Sequence, residues 1–153
     1  MKKKQPKLLL IVDDQDDDQA MLAWMLRKVG VENPVRYLRD GHEAVRYLNA
    51  DSPYNDRVQF PFPSAIFLDL QMPVMSGWQV LDWIKNMGLK KGMRVFVYSQ
   101  PKKIAEVQDL YTLGADSFIQ KPVQEDEIRA LIHNFPEPWE LKDQAAAANL
   151  IED

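Results

Sequence analysis

Residues 7–30 read KLLLIVDDQDDDQAMLAWMLRKVG. After Lys7, the five residues Leu8–Val12 form a continuous apolar run, too short for a helix and without the alternation of a half-exposed strand. This is the pattern of a strand buried on both faces. Two aspartates, Asp13 and Asp14, end it. From Asp16 to Val29 the period changes: Met21, Leu22, Met25, Leu26 and Val29 recur at helical spacing. Asp16, Asp17 and Asp18 sit in the first turn, where the helix dipole favours negative charge, and Gly30 stops the helix. A doubly buried strand followed at once by an amphipathic helix is one β-α unit, and the rest of the chain repeats it. Strands are expected over Pro34–Leu38, Ser64–Leu68, Met93–Tyr98 and Ser117–Gln120. Helices are expected from Asp40 or Gly41 to Asn49, from Ser76 or Gly77 to Met87, from Pro101 to Gly114, and from Gln124 to Phe135. Five units in strict alternation imply an α/β fold with a parallel sheet covered on both faces.

Two segments fall outside the repeat. Residues 51–63 form a long link between the second helix and the third strand, rich in proline and aromatics, expected to pack near that helix through Tyr54, Phe60 and Phe62. Residues 136–153 form a C-terminal tail, where Trp139 to about Ile151 is expected to be a short docked helix, since Ala145–Ala148 are strong helix formers. The domain proper is thus expected over residues 1–135.

Composition excludes several functions. The 153 residues hold no cysteine, hence no disulfide framework, thiolate nucleophile or Cys-based zinc site. The net charge of -4 speaks against a direct nucleic-acid grip. No apolar run approaches membrane-span length. The basic start at Lys2–Lys4 resembles a signal peptide's charged region, but the apolar run behind it is too short, which implies a cytoplasmic protein.

In open α/β sheets, ligands bind beyond the carboxyl ends of the strands. Asp13 and Asp14 follow the first strand, Asp69 the third, Ser99 the fourth and Lys121 the fifth. Three carboxylates on one rim repel one another and call for a cation. An all-oxygen ligand set suits Mg²⁺, with Mn²⁺ as the alternative. A lysine and a hydroxyl beside them suit a phosphoryl group in transit, and a carboxylate so placed can act as nucleophile and form an acyl phosphate.

Leu8–Asp14, Ile66–Gly77, Val95–Ser99 and Gly114–Pro122 together resemble the four signature segments of response-regulator receiver domains, and the likeness runs from about Lys7 to Phe135. The resemblance implies a flavodoxin-like, doubly wound five-stranded sheet in order 2-1-3-4-5 flanked by five helices. It implies that Asp69 takes a phosphoryl group from a histidine kinase or histidine phosphotransfer protein in a two-component system or phosphorelay. Asp13, Asp14, Asp69 and the Gln71 backbone carbonyl would hold the metal. Ser99 and Lys121 would bind the phosphoryl oxygens, with Ser99 and Phe118 as the switch pair. It further implies a cis Lys121–Pro122 bond, and signalling through the face of the fourth helix, fifth strand and fifth helix, near Lys102, Lys103, Glu106 and Tyr111, to a downstream partner or a second copy of the chain. Because the chain ends soon after its fifth helix, a stand-alone receiver is expected. Three positions depart from the usual family pattern. Ser99 stands where threonine is commoner, Phe118 where tyrosine is usual, and Ser76 where aspartate is common. Phe118, having no hydroxyl to keep at the solvent edge, is expected to lie largely inward.

Plainer readings exist for single residues. Asp13 and Asp14 would serve as helix caps, Lys121 as a solvated lysine, and Phe118 as core packing. Asp16–Asp18 are assigned to the helix dipole and left out of the site. His42 and His133 lie off the rim, and Trp24, Trp78, Trp83 and Trp139 read as packing or partner contacts. Two competing functions remain: a Mg²⁺-dependent phosphatase with an aspartyl nucleophile, and a degenerate receiver that only binds. The phosphatase needs an acid/base aspartate two residues after the nucleophile, where Gln71 cannot serve. The complete acidic set speaks against the degenerate form. Receiver function involves self-catalysed phosphotransfer and autodephosphorylation but no turnover of an outside metabolite.

Overall fold

The computed structural model describes residues 5–100 and 104–142. Strands β1 (Leu9–Val12), β2 (Val35–Leu38), β3 (Ala65–Leu68), β4 (Arg94–Ser99) and β5 (Ser117–Gln120) alternate with helices α1 (Asp16–Lys28), α2 (Gly41–Leu48), α3 (Gly77–Asn86), α4 (Ile104–Thr112) and α5 (Glu125–Asn134). The strands form one sheet in order β2-β1-β3-β4-β5, every pair parallel. This is the expected topology. The expected helix start at Pro101, together with Lys102 and Lys103, lies outside the described residues, as do Lys2–Lys4 and everything after Lys142.

Side-chain alternation splits the core into two layers. Leu8, Leu10, Val12, Ile66, Leu68, Val95 and Val97 pack with residues of α2, α3 and α4. Leu9, Ile11, Phe67, Phe96, Tyr98 and Ile119 pack with α1 and α5. Both faces of β1 and β3 are buried, which is why these strands read as unbroken apolar runs.

The helix starts are set by local chemistry. Asp40 caps α2 by accepting from the Glu43 amide. Ser76 and Gln79 form a reciprocal capping box at α3, so the serine loses nothing as a cap. Gln15 precedes α1 without a side-chain cap bond. A 3-10 turn at Leu89–Gly92, not expected from the sequence, leads from α3 to β4.

The 51–63 link packs on α2. Tyr54 meets Tyr47 at 4.9 Å and Phe60 at 5.2 Å, and its hydroxyl donates to Glu43 at 2.7 Å. Buried Tyr47 donates to the Pro61 carbonyl, and Arg57 ties the link to the Leu48 carbonyl.

The tail departs from expectation. Trp139–Lys142, the described part of the expected helix, is not helical. It runs alongside residues 30–32, with an antiparallel bridge between Val31 and Leu141, and the Glu32 and Lys142 amides donate to the Glu140 and Gly30 carbonyls. Trp139 decides this. Its ring stacks on Phe96 at 5.7 Å in the α1/α5 layer, a burial that outweighs the weak propensity of a short helix. Asn33, fully buried, completes the join. Its amide donates to the Lys7 and Pro138 carbonyls, and its oxygen accepts from the Glu140 amide, each at 2.7 Å.

Candidate functional site

Strands β1, β2 and β3 end level with one another, and β4 and β5 end level two residues farther on. Val12 pairs with Leu68, Leu68 with Val97, and Ser99 with Gln120. Ser99, the last residue of β4, and the residues that follow β1, β3 and β5 meet at one rim. They line an open cleft of about 590 Å³ that includes Asp14, Asp18, Asp69, Gln71, Ser99 and Lys121.

Asp13 and Asp69 are buried and Asp14 half-buried, and each offers an oxygen within 4.8 Å of the other two. Asp69 Oδ1 accepts from the Ser99 hydroxyl at 3.0 Å and, at the long limit of 3.5 Å, from the Gln71 amide. The Lys121 ammonium lies 3.6 Å from Asp69 Oδ2. It is closer to Asp13 Oδ2, at 2.7 Å, and to Asp18 Oδ2, at 2.9 Å. The Lys121–Pro122 bond is cis. The expected rim residues are thus together. His42 and His133 are exposed and away from the cleft. Phe118 is half-buried and packs against the α2/α3 layer.

The loop after Asp69 is held close to α3. An added Cβ on Gly77 would fall 2.1 Å from the Asp69 carbonyl oxygen, so only glycine lets the helix start there. Val74, in the same loop, has φ 68, a strained conformation for a β-branched residue.

Burial raises the Asp69 carboxyl to about 6, with the Asp13 charge adding and Lys121 opposing. For Lys121, burial alone would lower the ammonium pKa. The bonds from Asp13 and Asp18 outweigh that, and the result is raised.

Two groups at the site escaped the sequence reading. Asp18, expected to serve the helix dipole alone, pairs with Lys121 at 2.9 Å. Its signal was its place in the first turn of α1, a helix that starts directly after the rim pair Asp13 and Asp14. Tyr98 is wholly buried, and its hydroxyl donates to Asp13 Oδ2 at 2.8 Å. Burial, reinforced by the nearby Asp13 charge, raises its phenol, which therefore stays protonated. Strand parity was its signal: Asp13 continues the face of Leu9 and Ile11, and Tyr98 that of Phe96. Both faces belong to the α1/α5 layer.

The donor set fits a divalent cation. Three clustered carboxylates supply charge and hard oxygen ligands, and the cleft is open to water for the remaining positions. No helix among the described residues is long and apolar enough to cross a membrane.

Known proteins resemble the chain throughout. The response regulator Rcp1 of Synechocystis is 25% identical over 134 residues, covering 88% of this chain and 89% of its own. A methanogenesis regulatory protein, FilR2, of Methanothrix harundinacea is 23% identical over 73% of this chain and 70% of its own. A hybrid histidine kinase of Dictyostelium discoideum is 32% identical over 118 residues, only 6% of its length. Among solved structures, the Mn²⁺-bound form of Rcp1 superposes with TM-score 0.72 at 27% identity, covering 89% of this chain and 99% of that one. The bacteriophytochrome response regulator AtBRR gives 0.76 at 27%, covering 90% and 98%. The family model of the response regulator receiver domain matches residues 9–133. That match runs from the first residue of β1 to the last turn of α5, taking in the whole sheet and all five helices, and the chain belongs to the response regulator receiver domain family.

Proposed function

We propose that the chain accepts a phosphoryl group on Asp69 from a histidine kinase or histidine phosphotransfer protein. The observation that carries this is the surrounding of the Asp69 carboxylate: a hydroxyl on one oxygen, an ammonium 3.6 Å from the other, and two further carboxylates within reach of a shared cation. Asp69 Oδ2 attacks phosphorus, a new O–P bond forms, and the bond to the phosphohistidine nitrogen breaks, leaving neutral imidazole after protonation. Ser99 and Lys121 donate to the phosphoryl oxygens, stabilising charge in transfer. Asp13, Asp14, Asp69 and the Gln71 carbonyl would hold Mg²⁺, which when bound would supply positive charge to offset that of the transferred group. Hydrolysis reverses the modification when water attacks phosphorus and Asp69 leaves as carboxylate. The reading places the protein in the cytoplasm, where kinase output domains act.

The signal then travels through Ser99. A phosphoryl group draws its hydroxyl away from Asp69, moving the chain after β4. Phe118, already half-buried, shifts less than a solvent-facing aromatic would. The movement of that loop and of α4 accordingly dominates the change at the α4/β5/α5 face, which meets a downstream partner or a second copy. The Mn²⁺ form of Rcp1 and a phosphorylated cyanobacterial phytochrome response regulator, RcpA, 25% identical with TM-score 0.73, support the metal and the modification by likeness.

Incubation with acetyl phosphate and Mg²⁺ followed by intact mass tests the acceptor. Wild type should gain one phosphoryl group and Asp69→Asn none; undiminished labelling of the variant refutes the assignment. Hydrogen exchange with and without beryllofluoride tests the output face, and changes restricted to the cleft would defeat it.

A further inference from the structure

Asp13 is the most buried of the three carboxylates, and every described donor to it is accounted for. Oδ1 accepts from the Gln15 amide at 3.0 Å. Oδ2 accepts from two groups, the Tyr98 hydroxyl at 2.8 Å and the Lys121 ammonium at 2.7 Å. The resting ammonium therefore belongs mainly to Asp13 and Asp18, and it stands farther from the acceptor, at 3.6 Å. A shift of the ammonium toward a phosphoryl group on Asp69 weakens its 2.7 Å bond to Asp13 Oδ2, though its three N–H donors let it keep some contact there. A buried carboxylate oxygen left with no donor carries an uncompensated desolvation penalty.

We infer that Tyr98 is a positioning residue of the phosphoryl site, its hydroxyl holding Asp13 Oδ2 so that Lys121 is free to leave for the phosphoryl group. The inference rests on the acceptor role proposed above for Asp69. Three features equip Tyr98 for the task. It projects from β4 toward Asp13, the residue after β1, across the intervening β3, a span that needs a long side chain with a terminal donor. Its ring is fixed by full burial and by the edge of Phe67 at 6.4 Å, so the hydroxyl keeps its aim. Its face lies 4.8 Å from the ammonium, a cation–π contact that keeps Lys121 near the cleft while its partners change. A phenylalanine here would pack equally well but leave Lys121 as the remaining described hydrogen-bond donor to Oδ2, holding the lysine closer to its resting place.

The test is beryllofluoride affinity at saturating Mg²⁺ for wild type, Tyr98→Phe, Lys121→Ala and the double variant. Tyr98→Phe should weaken binding roughly tenfold, the scale of a hydrogen bond to a charged group, and should have no effect in the Lys121→Ala background. An equal loss in both backgrounds would mean that the Tyr98 hydroxyl acts independently of Lys121 and would overturn the inference, as would no loss in either. Wild type failing to bind beryllofluoride would instead overturn the acceptor reading and this inference with it. A second measurement avoids variants altogether. The Tyr98 hydroxyl proton should give a slowly exchanging, hydrogen-bonded NMR signal in both free and beryllofluoride-bound wild type, and its loss on binding would refute the proposal.

Discussion

Replacing Asp69 with asparagine should make the metal-free protein more stable at neutral pH, although it removes the proposed acceptor. The Asp69 carboxyl is raised from 3.8 to about 6, first by burial and then by the Asp13 charge, against the pull of Lys121. Holding it ionised above that pH costs about 3 kcal/mol relative to an unfolded chain. Asparagine resembles the protonated form. Its oxygen still accepts from Ser99, and Lys121 keeps Asp13 and Asp18. The sign follows from proton linkage. The folded state binds the proton more tightly than the unfolded state, so this group favours folding below about pH 4, and that contribution is lost as pH rises through 6. The variant lacks the titration, so it should gain about 2–3 kcal/mol over wild type at pH 7.5 in chelator. For a chain of this size that is on the order of 5–10 °C in Tm. The gap should close as pH falls from 6 toward 4 and should shrink when Mg²⁺ neutralises the wild-type cluster. Thermal melts by circular dichroism across that range read it directly. An asparagine variant less stable than wild type at pH 7.5 without metal, or a gap independent of pH, would show that the cluster is not under electrostatic stress.

Mg²⁺ itself should raise the wild-type Tm by mass action, about 2.7 kcal/mol at a hundredfold excess over Kd, and Asp14→Asn should reduce this shift in the same melts. Gly77→Ala would place a Cβ 2.1 Å from the Asp69 carbonyl oxygen; a loss of about 2 kcal/mol or more in urea unfolding is expected, with slower labelling by acetyl phosphate. Trp139→Ala removes a buried ring stacked on Phe96 and should cost about 3–5 kcal/mol, measured by urea unfolding. A near-neutral result would show that the chain after α5 plays no structural part.

The fold was legible in the sequence because its information is local. A four-residue strand buried on both faces reads as an apolar run whatever its neighbours, and the amphipathic period of α1 needs no partner to be seen. Parallel order then brings the residue after each strand to one rim, so Asp13, Asp14, Asp69, Ser99 and Lys121 could be named from their places alone. What the sequence could not carry was partner choice across long separations. Lys121 follows β5 in any reading, but its preference for Asp13 and Asp18 over Asp69 depends on where the first turn of α1 lies in space. Tyr98 has the pattern of a core residue, and only the stacking order β1-β3-β4 brings its hydroxyl over Asp13. In the tail, helix propensity pointed one way and the structure went the other at Trp139–Lys142. Propensity there is a matter of tenths of a kcal/mol per residue, whereas burying one indole against Phe96 outweighs it several-fold. Local pattern determined the five strands and five helices; the tertiary structure decided the path of the tail and which buried charge answers which, because those energies depend on distances that no stretch of chain sets by itself.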